Sequence, residues 1–433
     1  MNLKNIYFSW LIYWGKMKGL LNGIAEAIIL LALASFFVLI YQFGFVQTPD
    51  SVHILERSRP FILLAFFTGI TLRYVVRFQE IIQEKMLYLD ISIYFLLFAV
   101  LSSKIFFKDA IAHSLPYLSF LTKPLFVYVL LLLLSTIHLS RQTFTLMQTR
   151  IKPSLLFLLS FVFVILVGAG LLSLPNATTH RIPFIDALFI STTSVCVTGL
   201  TTVDVATSFT HIGHIIIMIL IQIGGIGVMT FTSFFALSFM GKSSFTSKMM
   251  LKDMLNEDRT GGLFRVILNI LFVTLFIEGI GAYFIYMDVR GSLPGGTQQE
   301  LFYAMFHAVS AFCNAGISTL SGNMYDPLVA DKYNLHFWIA MLIIFGGLGF
   351  PIVFNYLKLL HHLLMNGIKI LIGKQKHYIH TPRIINVHTY IVVISTLILL
   401  ITGTAFYLFF EYDNTLGDLP LRDRKSTRLN SSH

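Results

Sequence analysis

Two short stretches carry the residues whose types and order could do chemistry. They are Thr193-Ser194-Val195-Cys196-Val197-Thr198-Gly199-Leu200-Thr201-Thr202 and Ser310-Ala311-Phe312-Cys313-Asn314-Ala315-Gly316-Ile317-Ser318-Thr319. Each runs from small and apolar residues into a glycine-centred turn, and neither contains a carboxylate. Glycine admits backbone conformations closed to most residues, so Gly199 and Gly316 can turn successive carbonyls toward one axis. Stacked carbonyls of that kind can replace the hydration shell of a monovalent cation. The missing carboxylates argue against a firmly held divalent ion. Thr198, Thr201, Asn314 and Ser318 offer additional side-chain oxygens. The only cysteines, Cys196 and Cys313, exclude a disulfide scaffold or a CxxC metal site. Both read as small packing residues that contribute a carbonyl.

The two stretches are copies of one another. Ala187-Leu188-Phe189 pairs with Ala304-Met305-Phe306, Ser194-Val195-Cys196 with Ala311-Phe312-Cys313, and Gly199-Leu200-Thr201-Thr202 with Gly316-Ile317-Ser318-Thr319, all at an offset of 117 residues. Downstream, Gly224-Gly225-Ile226-Gly227 pairs with Gly346-Gly347-Leu348-Gly349 at an offset of 122, so the second outer loop carries an insertion. One glycine turn alone would be an ordinary loop. Two in-phase copies, each followed by the same glycine cluster, define a repeat of helix, short amphiphilic helix, turn and helix. The short segments 184–194 and 301–312 cannot cross a bilayer, but they can dip halfway and return. Non-helical backbone at that depth is tolerable only where it lines water or is buried in protein.

The elements that must position these turns are apolar helices. The chain is 56% hydrophobic and only 12% charged, with a mean hydropathy of +0.77. Soluble domains carry about twice that share of charge. Apolar periodicity and run length predict spans at 20–45, 60–78, 86–107, 117–139, 153–174, 211–240, 263–288, 333–361 and 386–411. The first run, from Asn22, lacks a cleavage site and reads as a retained helix. With the amino terminus in the cytoplasm, the cytoplasmic segments up to Arg383 hold 19 lysines and arginines and the outer segments 8. The positive-inside rule favours that orientation, and it places 175–210 and 289–332 outside. The net charge of +10 is spread between apolar runs, which points to membrane topology and away from nucleic acid. No GxxxxGK[ST], HExxH or GxSxG motif occurs, and no cluster of His, Asp or Glu suggests a membrane enzyme. A secondary transporter whose glycines break helices at a midplane site is the competing class.

Thr193–Leu200 and Phe306–Gly316 resemble the first and second filter loops of Trk/Ktr-type potassium uptake proteins, and Gln222-Ile223-Gly224-Gly225-Ile226-Gly227 resembles the helix after the first filter. The resemblance spans roughly 150–411. It implies an all-α polytopic membrane protein of repeated helix–pore loop–helix units around a central ion pathway. It further implies K⁺ coordination by backbone carbonyls of Cys196, Val197, Thr198 and Gly199, and of Cys313, Asn314, Ala315 and Gly316. No cofactor is implied. Partners implied are the bilayer, a second copy in a homodimer and a cytosolic nucleotide-binding regulatory subunit, at the cell (inner) membrane.

On that pattern residues 1–150 form an N-terminal four-helix region, 151–242 the first repeat, 243–375 the second, and 376–420 the start of a third. Family members carry four such loops, and only two are present here. The sequence therefore reads as a fragment, and the tail at 421–433, with Arg424-Lys425-Ser426-Thr427 at its core, resembles non-native read-through.

Several single residues invite a role. Glu278 lies in an otherwise apolar helix and is either functional or bonded to a neighbouring helix end or the back of a pore loop. Glu26 is expected at the interface near its helix start. Asp186 is expected as an N-cap or first-turn acid of the first short helix. His211, His214 and His307 read as packing residues at helix ends. The glycines at 224, 225, 227, 346, 347 and 349 are expected to let helices approach closely.

Overall fold

The computed structural model describes residues 3–81, 87–105, 123–124, 126–135, 153–240, 263–349 and 387–411, with isolated positions between 352 and 366. Among these residues every regular element is helical, apart from one isolated bridge between Thr178 and Phe209. The chain divides into two compact units, Met1–Leu156 and Phe157–His433.

The first unit holds α1 (Leu3–Gly44), α2 (Pro49–Ile81), α3 (Leu87–Ile105) and α4 (Phe126–Ser135). Pro49 opens α2, where its missing N–H costs nothing because the first turn has no intrahelical partner. Ile28, Ala32, Leu63, Phe66, Leu97, Val100, Leu131 and Leu134 pack as its core. The Ser35 and Ser135 hydroxyls meet at 2.5 Å between α1 and α4. Arg59 lies 4.6 Å over the Tyr128 ring, tying α2 to α4. Helix α1 begins at Leu3, far earlier than the expected 20, because the polar segment around Lys16 and Lys18 continues the helix beyond its apolar run. Glu26 is consequently an exposed mid-helix residue and not one near the helix start.

The second unit holds α5 (Pro153–Leu172), α6 (Phe184–Val195), α7 (Val205–Ser208), α8 (His211–Met240), α9 (Leu263–Val289), α10 (Gly296–Phe312), α11 (Tyr333–Leu348) and α12 (Val387–Glu411). Helices α5, α6 and α8 form one helix–short helix–helix set, and α9, α10 and α11 form the second. Asp186 sits in the first turn of α6, whose N-cap is Pro183, so it is a first-turn acid and not the cap. Two cores follow the sets: Leu172, Ile190, Ile217 and Ile221 in one, and Ile285, Tyr303, Leu335 and Leu342 in the other. The first core also contains Phe306, Cys313 and Ala315, so the two sets share side chains.

Glu26–Gly44, Leu268–Val289 and Thr389–Tyr407 are long and apolar enough to cross a membrane. Large side chains such as Phe163, Phe272, Phe276, Ile398 and Phe409 are exposed along α5, α9 and α12, as a lipid-facing surface requires. The expected tail at 421–433 and the connecting stretch 367–386 lie outside the described residues.

Candidate functional site

Helices α6 and α10 end in the same way. Cys196 and Cys313 cap them with helical dihedrals, φ −82 and ψ −4 against φ −74 and ψ −7. The next residue turns left-handed in both, at φ 55 for Val197 and φ 60 for Asn314. The Thr198 N–H donates to the Thr193 carbonyl at 2.9 Å and the Val197 N–H to Ser194 at 3.3 Å. In the second copy the Ala315 N–H donates to Ser310 at 2.7 Å and the Asn314 N–H to Ala311 at 3.0 Å. This pair of bonds is the Schellman helix ending, and both members recur at the sequence offset of 117. Gly199 (φ 83) and Gly316 (φ 68) then supply a second left-handed residue two positions on. The turns therefore alternate left-handed residues, which swings successive peptide planes around the strand axis.

Valine is poorly suited to the position it holds. A β-branched residue at positive φ is a genuine outlier, and such strain persists only where the surroundings impose it. Asn314 tolerates the equivalent place through its short polar side chain.

The two turns touch. A Cβ added to Gly199 would lie 2.5 Å from the Ala315 carbonyl oxygen and 3.6 Å from the Gly316 Cα. Residues Cys196, Thr198, Asn314 and Gly316 are exposed, while Cys313 and Ala315 are buried in the core the two sets share, so each turn borders open space on one side only.

The glycine clusters hold the turns from behind. A Cβ on Gly224 would overlap the Val195 carbonyl, and one on Gly346 would overlap the Phe312 carbonyl, the equivalent atom of the second copy. The expected close approach is seen at Gly224, Gly225 and Gly346, where the partner is the end of a short helix, and at Gly227 against Phe161 of α5, whereas Gly347 has only the Asn314 amide at 3.9 Å. Gly225 packs on Cys313, where an added Cβ would lie 2.5 Å from Sγ. Gly349 closes α11 at φ 80.

The second turn has further braces. The Ser310 hydroxyl donates to the Ile317 carbonyl at 2.7 Å and accepts from the Ile317 N–H at 3.1 Å. The Asn314 amide lies 3.2 Å from both the Ile343 carbonyl and the Gly347 N–H, with the orientation assigned so that NH₂ meets the carbonyl. His307 bonds the Tyr303 carbonyl through Nδ1 at 2.9 Å and the Ser318 hydroxyl through Nε2 at 3.0 Å. The side-chain oxygens of Asn314 and Ser318 are thus committed to protein partners. His211 packs edge-on against Phe302, with ring centroids 4.2 Å apart, and His214 bonds the Val205 carbonyl at 2.8 Å. Both line a cavity of about 770 Å³ with Gln298, Phe302 and Thr319.

Past the turns, Asp204 caps α7 by accepting from the Ala206 N–H at 3.0 Å, and its other oxygen accepts from the Ser321 hydroxyl at 2.5 Å. Asp204 and Ser321 are themselves related by the offset of 117, so equivalent residues of the two copies meet. Burial alone would raise the Asp204 carboxyl, but the Ser321 and Ala206 bonds outweigh it and hold the group below its usual range.

Residues 129–423 match the family model TrkH, described as a cation transport protein. The chain belongs to the TrkH family. It is accordingly an all-α polytopic membrane protein of a family of ion transporters, not of enzymes. The Ktr system potassium uptake protein B of Vibrio alginolyticus is 36% identical over 270 residues, 61% of this chain and 54% of that protein. The protein of the same name from Bacillus subtilis (strain 168) is 32% identical over 277 residues, 64% of this chain and 57% of its own length. The potassium/sodium uptake protein NtpJ of Enterococcus hirae is 34% identical over 271 residues, 61% and 54% of the two chains. The chain spans about half the length of these relatives.

Of the two roles the sequence leaves open for Glu278, the structure shows the bonded one, and it adds the partners that the sequence could not name. Gln222 Nε2 donates to Glu278 Oε2 at 3.0 Å, and Cys313 Sγ donates to Glu278 Oε1 at 3.9 Å. The resemblance in residue types at Cys196 and Cys313 gave no sign that the first is exposed and the second buried.

Proposed function

We propose that the full-length protein takes up potassium across the cell (inner) membrane, as the pore subunit of a Trk/Ktr-type system. The observation that carries the reading is the paired turn, with left-handed residues at 197 and 199 and again at 314 and 316, one strand abutting the other at Gly199. Backbone carbonyls of Cys196, Val197, Thr198 and Gly199, and of Cys313, Asn314, Ala315 and Gly316, serve as K⁺ ligands. Such oxygens replace hydration without the binding strength of carboxylates, so the ion can leave as readily as it enters. The paired glycine contacts on the Val195 and Phe312 carbonyls support a fixed filter geometry. The names of the relatives, which include potassium and potassium/sodium uptake proteins, support the same substrate class.

In this reading the units at 151–242 and 243–375 are successive pore repeats, 376–420 opens a third, and 1–150 is an added membrane region. The chain crosses the membrane several times with its amino terminus in the cytoplasm. The pore subunit acts as a homodimer with a cytosolic nucleotide-binding regulatory subunit. Expression of the full-length protein in cells lacking potassium uptake tests this: growth at low external K⁺ and saturable rubidium uptake are expected. Rubidium flux at the level of empty cells, with solute flux that requires a counter-ion, would assign the turns to a coupled transporter of another substrate.

A further inference from the structure

We infer that Glu278 is a positioning residue for the second turn, setting the geometry of the Cys313 end of the proposed K⁺ filter through the Cys313 thiol. The inference rests on the potassium reading above and names a residue that acts on the filter without touching the ion. Glu278 is 4% exposed on α9, a helix otherwise apolar from Phe272 to Tyr286. A carboxyl group in that setting is costly to bury unless its oxygens are engaged. Among the described residues two side chains donate to it, Gln222 from α8 and Cys313 from the end of α10. One carboxyl group therefore joins the outgoing helix of the first repeat, the incoming helix of the second and the first residue of the second turn.

The thiol is also closely packed by α8. Gly225, three residues after Gln222 on α8, packs against Cys313, and an added Cβ there would lie 2.5 Å from Sγ. Cys313 is 8% exposed, whereas Cys196 at the equivalent place is exposed. The first repeat also lacks the carboxylate. Gly168 of α5 faces Leu220 and Gly281 of α9 faces Leu342, and pairing these contacts aligns the two incoming helices. That alignment pairs Ile165 with Glu278, and α5 carries no Asp or Glu at all. Glu278 is thus specific to the second turn and is not a general requirement of the repeat's packing.

The test measures rubidium uptake and its competition by sodium in cells lacking potassium uptake, with the full-length protein quantified in the membrane. Glu278→Gln and Cys313→Ala are each expected to lower rubidium-over-sodium selectivity roughly threefold to tenfold, the weight of one ordinary hydrogen bond. The double variant is expected to lose no more than either single one, because both remove the same contact. Cys313→Ser, which returns an O–H donor, recovers most of the selectivity lost in Cys313→Ala. A role confined to packing would lower the amount of protein or the maximal rate and leave selectivity alone. Wild-type selectivity in both Glu278→Gln and Cys313→Ala overturns the inference. If Glu278→Gln does not reach the membrane, Cys313→Ala decides by itself on the same criterion. Absence of rubidium uptake in the wild type would instead overturn the potassium reading, so the two failures are distinguishable.

Discussion

Replacing Gly199 by serine probes the contact between the two turns directly. Gly199 sits at φ 83, where an L-residue is disfavoured by roughly 1–2 kcal/mol. The added Cβ would also stand 2.5 Å from the Ala315 carbonyl oxygen, too close by roughly half an ångström to an ångström. The obstacle is backbone, not the mobile end of a side chain, so the Ala315 carbonyl itself must move. That oxygen is one of the proposed ligands, and a shift of this size is comparable to the radius difference a filter must resolve between two alkali cations. A coordination change of about 1.4 kcal/mol between the ions corresponds to a tenfold change in selectivity. Gly316 has only the Gly199 Cα at 3.9 Å beside its own added Cβ, so among the described residues Gly316→Ser carries the backbone cost without the carbonyl clash. The expected order is therefore a loss of about tenfold in rubidium-over-sodium discrimination for Gly199→Ser and a smaller loss for Gly316→Ser. Rubidium uptake with graded sodium competition, normalised to protein in the membrane, reads it. Equal discrimination in wild type and Gly199→Ser would refute the reasoning.

Other substitutions probe the supports. Gly224→Ala and Gly346→Ala drive a methyl into the Val195 and Phe312 carbonyls, and each is expected to destabilise by about 1–3 kcal/mol; Gly279→Ala, with nothing within 4 Å, is expected to leave the melting temperature unchanged or slightly raised. Equal melting temperatures for Gly224→Ala and Gly279→Ala in detergent would contradict the contact. Val197→Asn relieves a β-branched residue at φ 55 and is expected to raise stability by about 1 kcal/mol, read as a higher melting temperature. The lowered Asp204 carboxyl makes its bonds contribute stability above the ordinary value of 3.8, and this is lost as pH falls through the lowered value. Asp204→Ala should accordingly show a shallower loss of melting temperature below about pH 4 than the wild type; parallel curves would exclude that contribution.

The sequence was most legible where composition alone decides. The span expected at 211–240 coincides with α8, and that at 263–288 ends one residue short of α9, because both are apolar runs bounded by charge. Helix α10 begins at Gly296 rather than 301, since Gly296-Thr297-Gln298-Gln299-Glu300 carries no apolar signal. Its amino-terminal end is tied to the preceding loop by Glu300, whose carboxylate accepts from the Gly291 N–H at 2.5 Å, a contact invisible in local pattern. The span expected at 333–361 is interrupted at Gly349, whose positive φ closes α11 at Leu348, and the described residues Ile352, Val353, Tyr356 and Leu359 beyond it are again helical.

At the site, the offset of 117 exposed the turns, and glycine marked one of the two left-handed residues in each. The other stayed hidden because valine is among the residues least suited to that conformation, and only the structural pairing of Val197 with Asn314 reveals it. The partners of Glu278 lie 56 and 35 residues away on other helices, a separation that no local periodicity encodes.

The central claim is that the paired turns conduct K⁺ through backbone carbonyls, and flux in proteoliposomes holding the purified full-length protein tests it most directly. With an inward-negative potential set across the vesicle membrane, the account predicts rubidium entry that K⁺ competes away, that exceeds sodium entry, and that falls in selectivity with Gly199→Ser. Entry of rubidium and sodium at equal rates, unaltered by Gly199→Ser, would contradict it.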